Sequence, residues 1–169
     1  MKLLYSLKDN QYPDNGYTHT RSIVRGIVYN DKHQIALLYL NCVDSFGERD
    51  YLETPGGGVE KSETLIEALK RELKEEIGAI VENIQEIGRV VDFYNLIYRR
   101  NNNHYYLCHL VKLEETKWTE QEKRIVKEIR WIDIDEAIEI VKNTKRTPIS
   151  TLVINRELPI LKIAKDILR

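Results

Sequence analysis

The order of polar and apolar positions divides the chain into recognisable segments. Residues 8–20, KDNQYPDNGYTHT, are polar, with Pro13 and an Asn15-Gly16 pair, and predict a loop or a peripheral hairpin. RSIVRGIVYN (21–30) alternates and is rich in β-branched residues, which predicts a strand. A turn at Asn30–His33 leads to a second strand, QIALLYL (34–40), and VDSFGERD (43–50) predicts a loop. Leu65, Leu69, Leu73 and Ile77 then recur every fourth residue, with Ile66 beside them, so a helix with one buried stripe is expected. Thr64 and Glu67 have capping-box spacing, Ser62 is a second N-cap candidate, and Gly78 stands where a C′ glycine ends a helix.

Beyond Gly78, residues 82–94 and 104–113 predict strands joined by a polar turn at 99–103, and Trp131-Ile132 end a short strand. Residues 134–142 and 149–168 predict helices, with Thr147-Pro148 as N-cap and first-turn proline. Pro159 should kink or split the last one. Strands around one central helix, with further helices at the end, imply an α/β chain: α+β, or an α/β/α sandwich around a mixed sheet. No GxGxxG opens a βαβ unit, which disfavours a dinucleotide-binding Rossmann fold.

Composition narrows the classes. A length of 169 residues suits one domain (1–169), with a peripheral stretch at 1–20 and a C-terminal helical segment at 149–168. Lys and Arg total 26 against 27 for Asp and Glu, a net charge of -1, so nucleic acid is not expected as a partner. Cys42 and Cys108 are too few for a disulfide framework and suggest reduced thiols in a cytoplasmic protein. The start, MKLLYSLKDN, has too short an apolar run for a signal core, and no stretch of about 18 apolar residues predicts a membrane span. Oligomeric state is open, and a homodimer is compatible with the sequence.

The stretch GGGVEKSETLIEALKRELKEEIG (56–78) holds the candidate chemistry. At about 100° per residue, Glu72, Glu75 and Glu76 gather at one edge of the apolar stripe. Lys70, Lys74, Glu67 and Arg71 should point to the other side, with Glu67 and Arg71 paired one turn apart. Three neighbouring carboxylates repel one another, and a divalent cation removes that cost. Oxygen ligands alone select a hard ion, Mg²⁺ or Mn²⁺. A glycine-rich turn entering a helix lets backbone groups approach a phosphate or a metal. Metal and phosphate together suggest cleavage of a phosphoanhydride. Lys61-Ser62 follows the glycines, but Glu60 stands where a P-loop needs glycine.

The full spacing resembles the Nudix hydrolase family. Gly57 is followed after five residues by Glu63, and after seven more by Arg71-Glu72, Leu73, Lys74, Glu75-Glu76, Ile77 and Gly78. Ala79 replaces a larger aliphatic at the last position, with Ile80 next to it. Pro55-Gly56-Gly57-Gly58-Val59-Glu60 before the box, and Glu128–Trp131 and Asp135–Ala137 after it, extend the likeness from about residue 20 to 142. The resemblance implies a Nudix-type α/β/α sandwich around a mixed sheet. It also implies Mg²⁺-dependent hydrolysis of a nucleoside diphosphate linked to another moiety, a small-molecule substrate. Metal ligands would be Glu72, Glu75 and Glu76, completed by a carbonyl of Gly56 or Gly57. Arg71 would orient a box glutamate, and Glu63 would tie loop to helix. For a general base from a later loop, Glu122 is preferred over Glu120, with His104 an outsider.

Substrate signals are sparser. Prolines stand only at 13, 55, 148 and 159, so the proline associated with ADP-ribose hydrolases of the family is absent. Tyr94 and Tyr98 fall fifteen and nineteen residues past Ala79, either side of the tyrosine associated with dinucleoside polyphosphate hydrolases. Substrate contacts are expected from Gly57, Gly58, Tyr94 and Arg99, with Arg100 beside them. Tyr39, Tyr51 and Trp118 are further candidates for stacking on a base. Two other readings stand beside hydrolysis: a non-catalytic sensor of a nucleotide metabolite, and an isoprenoid diphosphate isomerase, for which no cysteine is convincingly placed.

Overall fold

A computed structural model describes the whole chain, Met1–Arg169. Its strands are β1 (Leu3–Leu7), β2 (His19–Tyr29), β3 (Gln34–Asp44), β4 (Gly47–Glu53), β5 (Ala79–Tyr94), β6 (Arg99–Leu113) and β7 (Val126–Asp133). The helices are α1 (Leu65–Ile77), α2 (Glu120–Ile125), α3 (Ile134–Asn143) and α4 (Pro148–Leu168). The strands form one sheet in the order β1-β5-β6-β2-β3-β4, with β7 also paired to β3. β1 with β5 and β2 with β6 run parallel, and the other pairs are antiparallel, so the sheet is mixed.

Ile23–Val28 of β2 are all buried, and alternate side chains face opposite sides of the sheet, which sets the layers. Val24 and Val28 join Leu69, Leu73 and Ile77 of α1 in one core. Ile27, from the other face, packs with Ile138 of α3 and Ile154, Ile160 and Leu161 of α4 in a second. Helices thus cover both faces, an α/β/α sandwich. Gly26 lets α1 settle close to the sheet, since a Cβ there would lie 2.8 Å from Leu73 Cδ2.

The sheet is split where the site lies. β2 and β3 are in register only at Tyr29 and Ile35. Towards the other end of β2, residues 55–59 take its free edge instead. Val24 N–H donates to Gly57 O (2.9 Å), Gly26 N–H to Pro55 O (3.0 Å) and Val59 N–H to Ser22 O (3.0 Å). A cleft opens between the two parts of the sheet, with the glycine run along one wall.

Local signals account for the ends of α1. Thr64 and Glu67 make both bonds of a capping box, and Gly78 closes the helix in the left-handed region at φ 67°. Thr147 and Pro148 start α4 in the same reciprocal way, with Ser150 as the partner.

Several expectations need correction. Residues 43–50 are a hairpin: β3 and β4 pair from Leu38↔Glu53 to Asp44↔Gly47. Asp44 tightens the turn by accepting from Phe46 N–H (2.8 Å) and Arg49 Nε (2.9 Å). Residues 99–103 lie inside β6, and the turn is the 3₁₀ segment Asn95–Ile97 before it. Their polarity has buried partners there: Asn101 Nδ2 donates to Asp92 (2.6 Å) and Asn103 Oδ1 accepts from Arg25 Nε (3.3 Å). The N-terminal stretch includes β1, an edge strand beside β5. Residues 120–125 form α2, capped by Thr119 and Glu122 at the same spacing that starts α1. Pro159 does not split α4, because the one hydrogen bond it removes is outweighed by the fully buried Ile160, Leu161 and Ala164. No helix is long and apolar enough to cross a membrane.

Gly78→Ala and Gly16→Ala separate backbone strain from collision. Both glycines have positive φ, but a Cβ at Gly78 would meet Glu114 O at 2.0 Å, whereas nothing lies within 4 Å at Gly16. Urea denaturation should show a loss of about 1 kcal/mol for Gly16→Ala and roughly 2–4 kcal/mol for Gly78→Ala. Equal losses would refute the collision.

Candidate active site

Arg71 links the glycine run to α1. Its Nε donates to Glu63 Oε1 (2.5 Å) and Nη2 to Glu63 Oε2 (2.9 Å), while Nη2 also reaches the Gly58 carbonyl (3.0 Å). Its Nη1 donates to Glu72 (2.8 Å) and Glu75 (3.2 Å). The helical-wheel reading placed Arg71 away from these acids and beside Glu67. The long side chain instead swings across to them, and Glu67 is used by the Thr64 cap. Hydrogen bonds from Arg71 hold the Glu63 carboxyl down at about 2.

Glu72 and Glu76 sit deeper. The Glu72 carboxylate lies over Gly57, where a Cβ would be 2.5 Å from Oε2. Burial raises its pKa against the pull of Arg71. Glu76 accepts from Gly56 N–H at 2.6 Å, and burial pushes it up to about 8, with Glu72 adding repulsion. Gly56 must be glycine on two counts: its φ is 144°, and a Cβ would meet Val24 O at 2.0 Å. Carbonyls 54, 55, 57 and 58 all accept hydrogen bonds, from Arg25, Gly26, Val24 and Arg71. The Gly56 carbonyl accepts none.

No group of three or more His, Cys, Asp or Glu side chains is arranged as a metal site. Separate donors hold the three glutamates: Arg71 takes Glu72 and Glu75, and Gly56 takes Glu76. The residues nonetheless suit a hard divalent cation. Two half-buried or buried carboxylates with raised pKa values and a carbonyl without a donor are oxygen groups that an ion would satisfy.

The α1 terminus is pinned by a segment that had no predicted role. Lys117 N–H donates to Glu75 O (2.7 Å) and Trp118 Nε1 to Glu76 O (2.6 Å). Trp118 is therefore an anchor, not a free stacking surface.

A cavity of about 390 Å³ runs from Gly56 and Glu76 between β2, β5, β6 and the β3–β4 hairpin. Five arginines line it: Arg21, Arg25, Arg49, Arg99 and Arg156. Arg25 and Arg156 share Glu53 (2.7 and 2.5 Å), and Arg156 also meets Asp92 (3.3 Å) and Glu157 (3.0 Å). Against the cost of its burial, Arg25, Arg156 and Arg49 hold Glu53 below the usual carboxylate range. Glu157 also accepts from Thr54 Oγ1 (2.7 Å) and Tyr105 Oη (2.8 Å), which fixes the entry to the glycine run from α4.

Of the predicted substrate residues, Tyr94 and Arg99 line this cavity; Gly58 borders it through Arg21, and Gly57, under Glu72, lies outside the lining. Glu122 lines it too, but its carboxylate accepts from Thr119 N–H (2.6 Å) and Oγ1 (2.7 Å). Glu120 is exposed beside Lys123, and His104 lies on β6 away from the cleft lining. Tyr39 is bonded to Asp50 (2.8 Å), whereas Tyr51 is buried in the cavity wall under Arg49. The acidic and arginine pairs at 53, 92, 156 and 157 were missed. Their one signal is charge placed at apolar positions of strands and of α4.

The sandwich, the split sheet and a glycine run facing a Glu-rich helix define a Nudix-type hydrolase fold. A family model described as "NUDIX domain" matches residues 19–152, and the chain belongs to that family. Membership supports hydrolysis of phosphoanhydride bonds as the general activity. Among solved structures, the chain is similar to the ORF135 protein of E. coli, with 21% identity over 87% of this chain and 89% of that one, TM-score 0.59. It is also similar to a MutT protein from Methanosarcina mazei (16%, covering 92% and 98%, TM-score 0.60). The Nudix domain of Shewanella oneidensis NrtR, solved with ADP-ribose, is a further likeness (13%, 94% of each, TM-score 0.65). At these identities the likeness is one of fold. No curated protein matches the chain in sequence.

Glu76 makes the metal-free protein pH-sensitive. Its folded pKa lies above its unfolded value, so the folded state holds the extra proton between about 4.5 and 8. Stability from this group is full below that window and falls as pH rises through it. In EDTA, Glu76→Gln should flatten the pH dependence of the melting temperature and raise stability at pH 8.5 by a few kcal/mol, order of magnitude. Wild-type and variant curves of the same slope would assign the effect elsewhere.

Proposed function

We propose that the chain is a single-domain, metal-dependent pyrophosphohydrolase that cleaves a phosphoanhydride in a nucleoside diphosphate linked to another moiety. The observation that carries this reading is the Gly56 carbonyl without a donor, in the residue whose N–H is bonded to the buried Glu76, next to Gly57 under the Glu72 carboxylate. Glu72, Glu75, Glu76 and Gly56 O would hold Mg²⁺, or Mn²⁺, since all are hard oxygen donors. Such an ion polarises phosphoryl oxygens and lowers the pKa of a bound water.

The protein groups have distinct tasks. Arg71, fixed by Glu63, orients Glu72 and Glu75. Gly57 and Gly58, which have no side chains, leave the diphosphate room against α1. Glu122, once it leaves its cap, would accept a proton from the attacking water, and its charge already bears on Glu72. Tyr94 and Arg99 contact the far part of the substrate. The three retained glutamates argue against a pure sensor of nucleotide metabolites, which has no need of mutually repelling carboxylates.

A phosphate-release screen with Mg²⁺ tests the reading on nucleoside triphosphates, dinucleoside polyphosphates and nucleotide sugars. Turnover of one class should be abolished by EDTA and reduced roughly 10²–10⁴-fold by Glu76→Gln. Metal-dependent nucleotide binding without turnover of any class would favour the sensor.

A further inference from the structure

The cavity beyond the glutamates holds charge and polarity that the hydrolytic reading uses only at Tyr94 and Arg99, as contacts to an unspecified far part of the substrate. Arg25 and Arg156 have Glu53, and Arg49 has Asp44. Arg21 and Arg99 have no carboxylate partner. Position 99 pairs with His19 across the parallel β2–β6 ladder, so Arg21 and Arg99 project from neighbouring positions of the same sheet face. The Arg21 guanidinium lies against Gly58, where a Cβ would be 2.5 Å from Nη2. Burial and the nearby Arg21 both lower the Arg99 pKa, and the opposing pull of Asp92, which is engaged by Arg156 and Asn101, does not offset them.

Three buried polar atoms in the same place have no hydrogen-bond partner: Arg99 Nε, Tyr94 Oη and Asn101 Oδ1. All three residues line the cavity, and Asn101 is only 3% exposed. Unsatisfied buried groups are uncommon and need an explanation. Asn101 Nδ2 is fixed on Asp92 at 2.6 Å, which orients its oxygen away from that carboxylate as a pure acceptor. As the cavity stands these atoms are shielded from solvent, so a ligand that reaches them by a turn of the side chains would have both to accept and to donate. An anion alone would satisfy Arg99 and Tyr94 but leave Asn101 unmet. A hydroxyl donates to Asn101, while an anionic group on the same moiety receives the two guanidinium groups.

We propose that this part of the cavity binds a sugar bearing an anionic substituent, separate from the diphosphate to be cleaved. The inference rests on the hydrolase reading above for the placement of the diphosphate. It specifies the substrate class as nucleotide sugars with a second anion, a carboxylate or a phosphate. Arg21 and Arg99 recognise the anion, and Asn101 and Tyr94 recognise hydroxyls. Arg99 is a specificity determinant and lies outside the group of glutamates.

Two matched pairs test this. UDP-glucuronate differs from UDP-glucose by one carboxylate, and ADP-ribose 2′-phosphate from ADP-ribose by one phosphate. Turnover with Mg²⁺ and calorimetric binding in EDTA are both measured, for wild type, Arg99→Gln and Arg21→Gln. In at least one pair the anionic member should be preferred roughly 10- to 100-fold, and each substitution should bring the ratio towards one. Without ligand, Arg99→Gln should melt no lower than wild type, since it removes an uncompensated charge; a purely structural arginine would give a lower value. The pair that shows the preference identifies the anion as carboxylate or phosphate. Turnover of both members of each pair at equal efficiency overturns the proposal and leaves the hydrolase reading intact. A binding preference without turnover supports the subsite, and equal binding without turnover overturns it; in either case the phosphate-release screen, which also covers nucleoside triphosphates and dinucleoside polyphosphates, decides the hydrolase reading.

Discussion

The Arg71 guanidinium is the tie on which the candidate site depends. One side chain spans Glu63, the Gly58 carbonyl, Glu72 and Glu75. It joins the end of the glycine run to the middle of α1, beside the separate bond from Gly56 N–H to Glu76. Five donors in a rigid fork allow this, whereas an ammonium would have to choose among the same acceptors. The arrangement neutralises part of the local negative charge while leaving Glu76 to be held by backbone alone. Carboxylates are thus concentrated without collapsing into pairs that would remove them from use.

The split between β2 and β3 supplies the second condition. A continuous sheet would bury its backbone edge against a neighbouring strand. Here that edge is handed to residues 55–59, and the space between the sheet parts is lined by ionised groups. Keeping Arg25, Glu53, Arg156 and Glu157 charged at low exposure is expensive unless every group has partners. The network meets that requirement and carries rigidity from α4 to Thr54, two residues before Gly56. Where it ends, at Arg99 and Asn101, satisfaction ends too.

Much of this was legible in residue order because α1 is governed by local rules. The four-residue apolar stripe, Thr64, Glu67 and Gly78 each act within a turn of their neighbours, and the box spacing located the glutamates. Where the outcome depended on distant partners, the reading failed. Residues 99–103 looked like a turn since nothing nearby announces Asp92, Val90 and Arg25 as their partners. Arg71 was placed on the wrong side because a helical wheel gives the direction of a Cβ and not the reach of a guanidinium. The hairpin at 43–50 and α2 were different cases: Asp44 with Gly47, and Thr119 with Glu122, were local signals that outweighed polar composition. The cavity arginines come from three separate strands and one helix, so no single window of sequence contains them.

The pairing of residues 55–59 along β2 has a consequence for how this protein can vary. Extended backbone presents its carbonyls alternately to either side, and β2 claims those of Pro55 and Gly57. Gly56 faces the helix by parity. A one-residue insertion or deletion between Glu53 and Gly58 would exchange odd for even and turn the Gly56 oxygen into the strand, even if every glycine were kept. The length of this stretch is therefore under a stricter constraint than its composition. Changes in it would be tolerated two residues at a time or not at all.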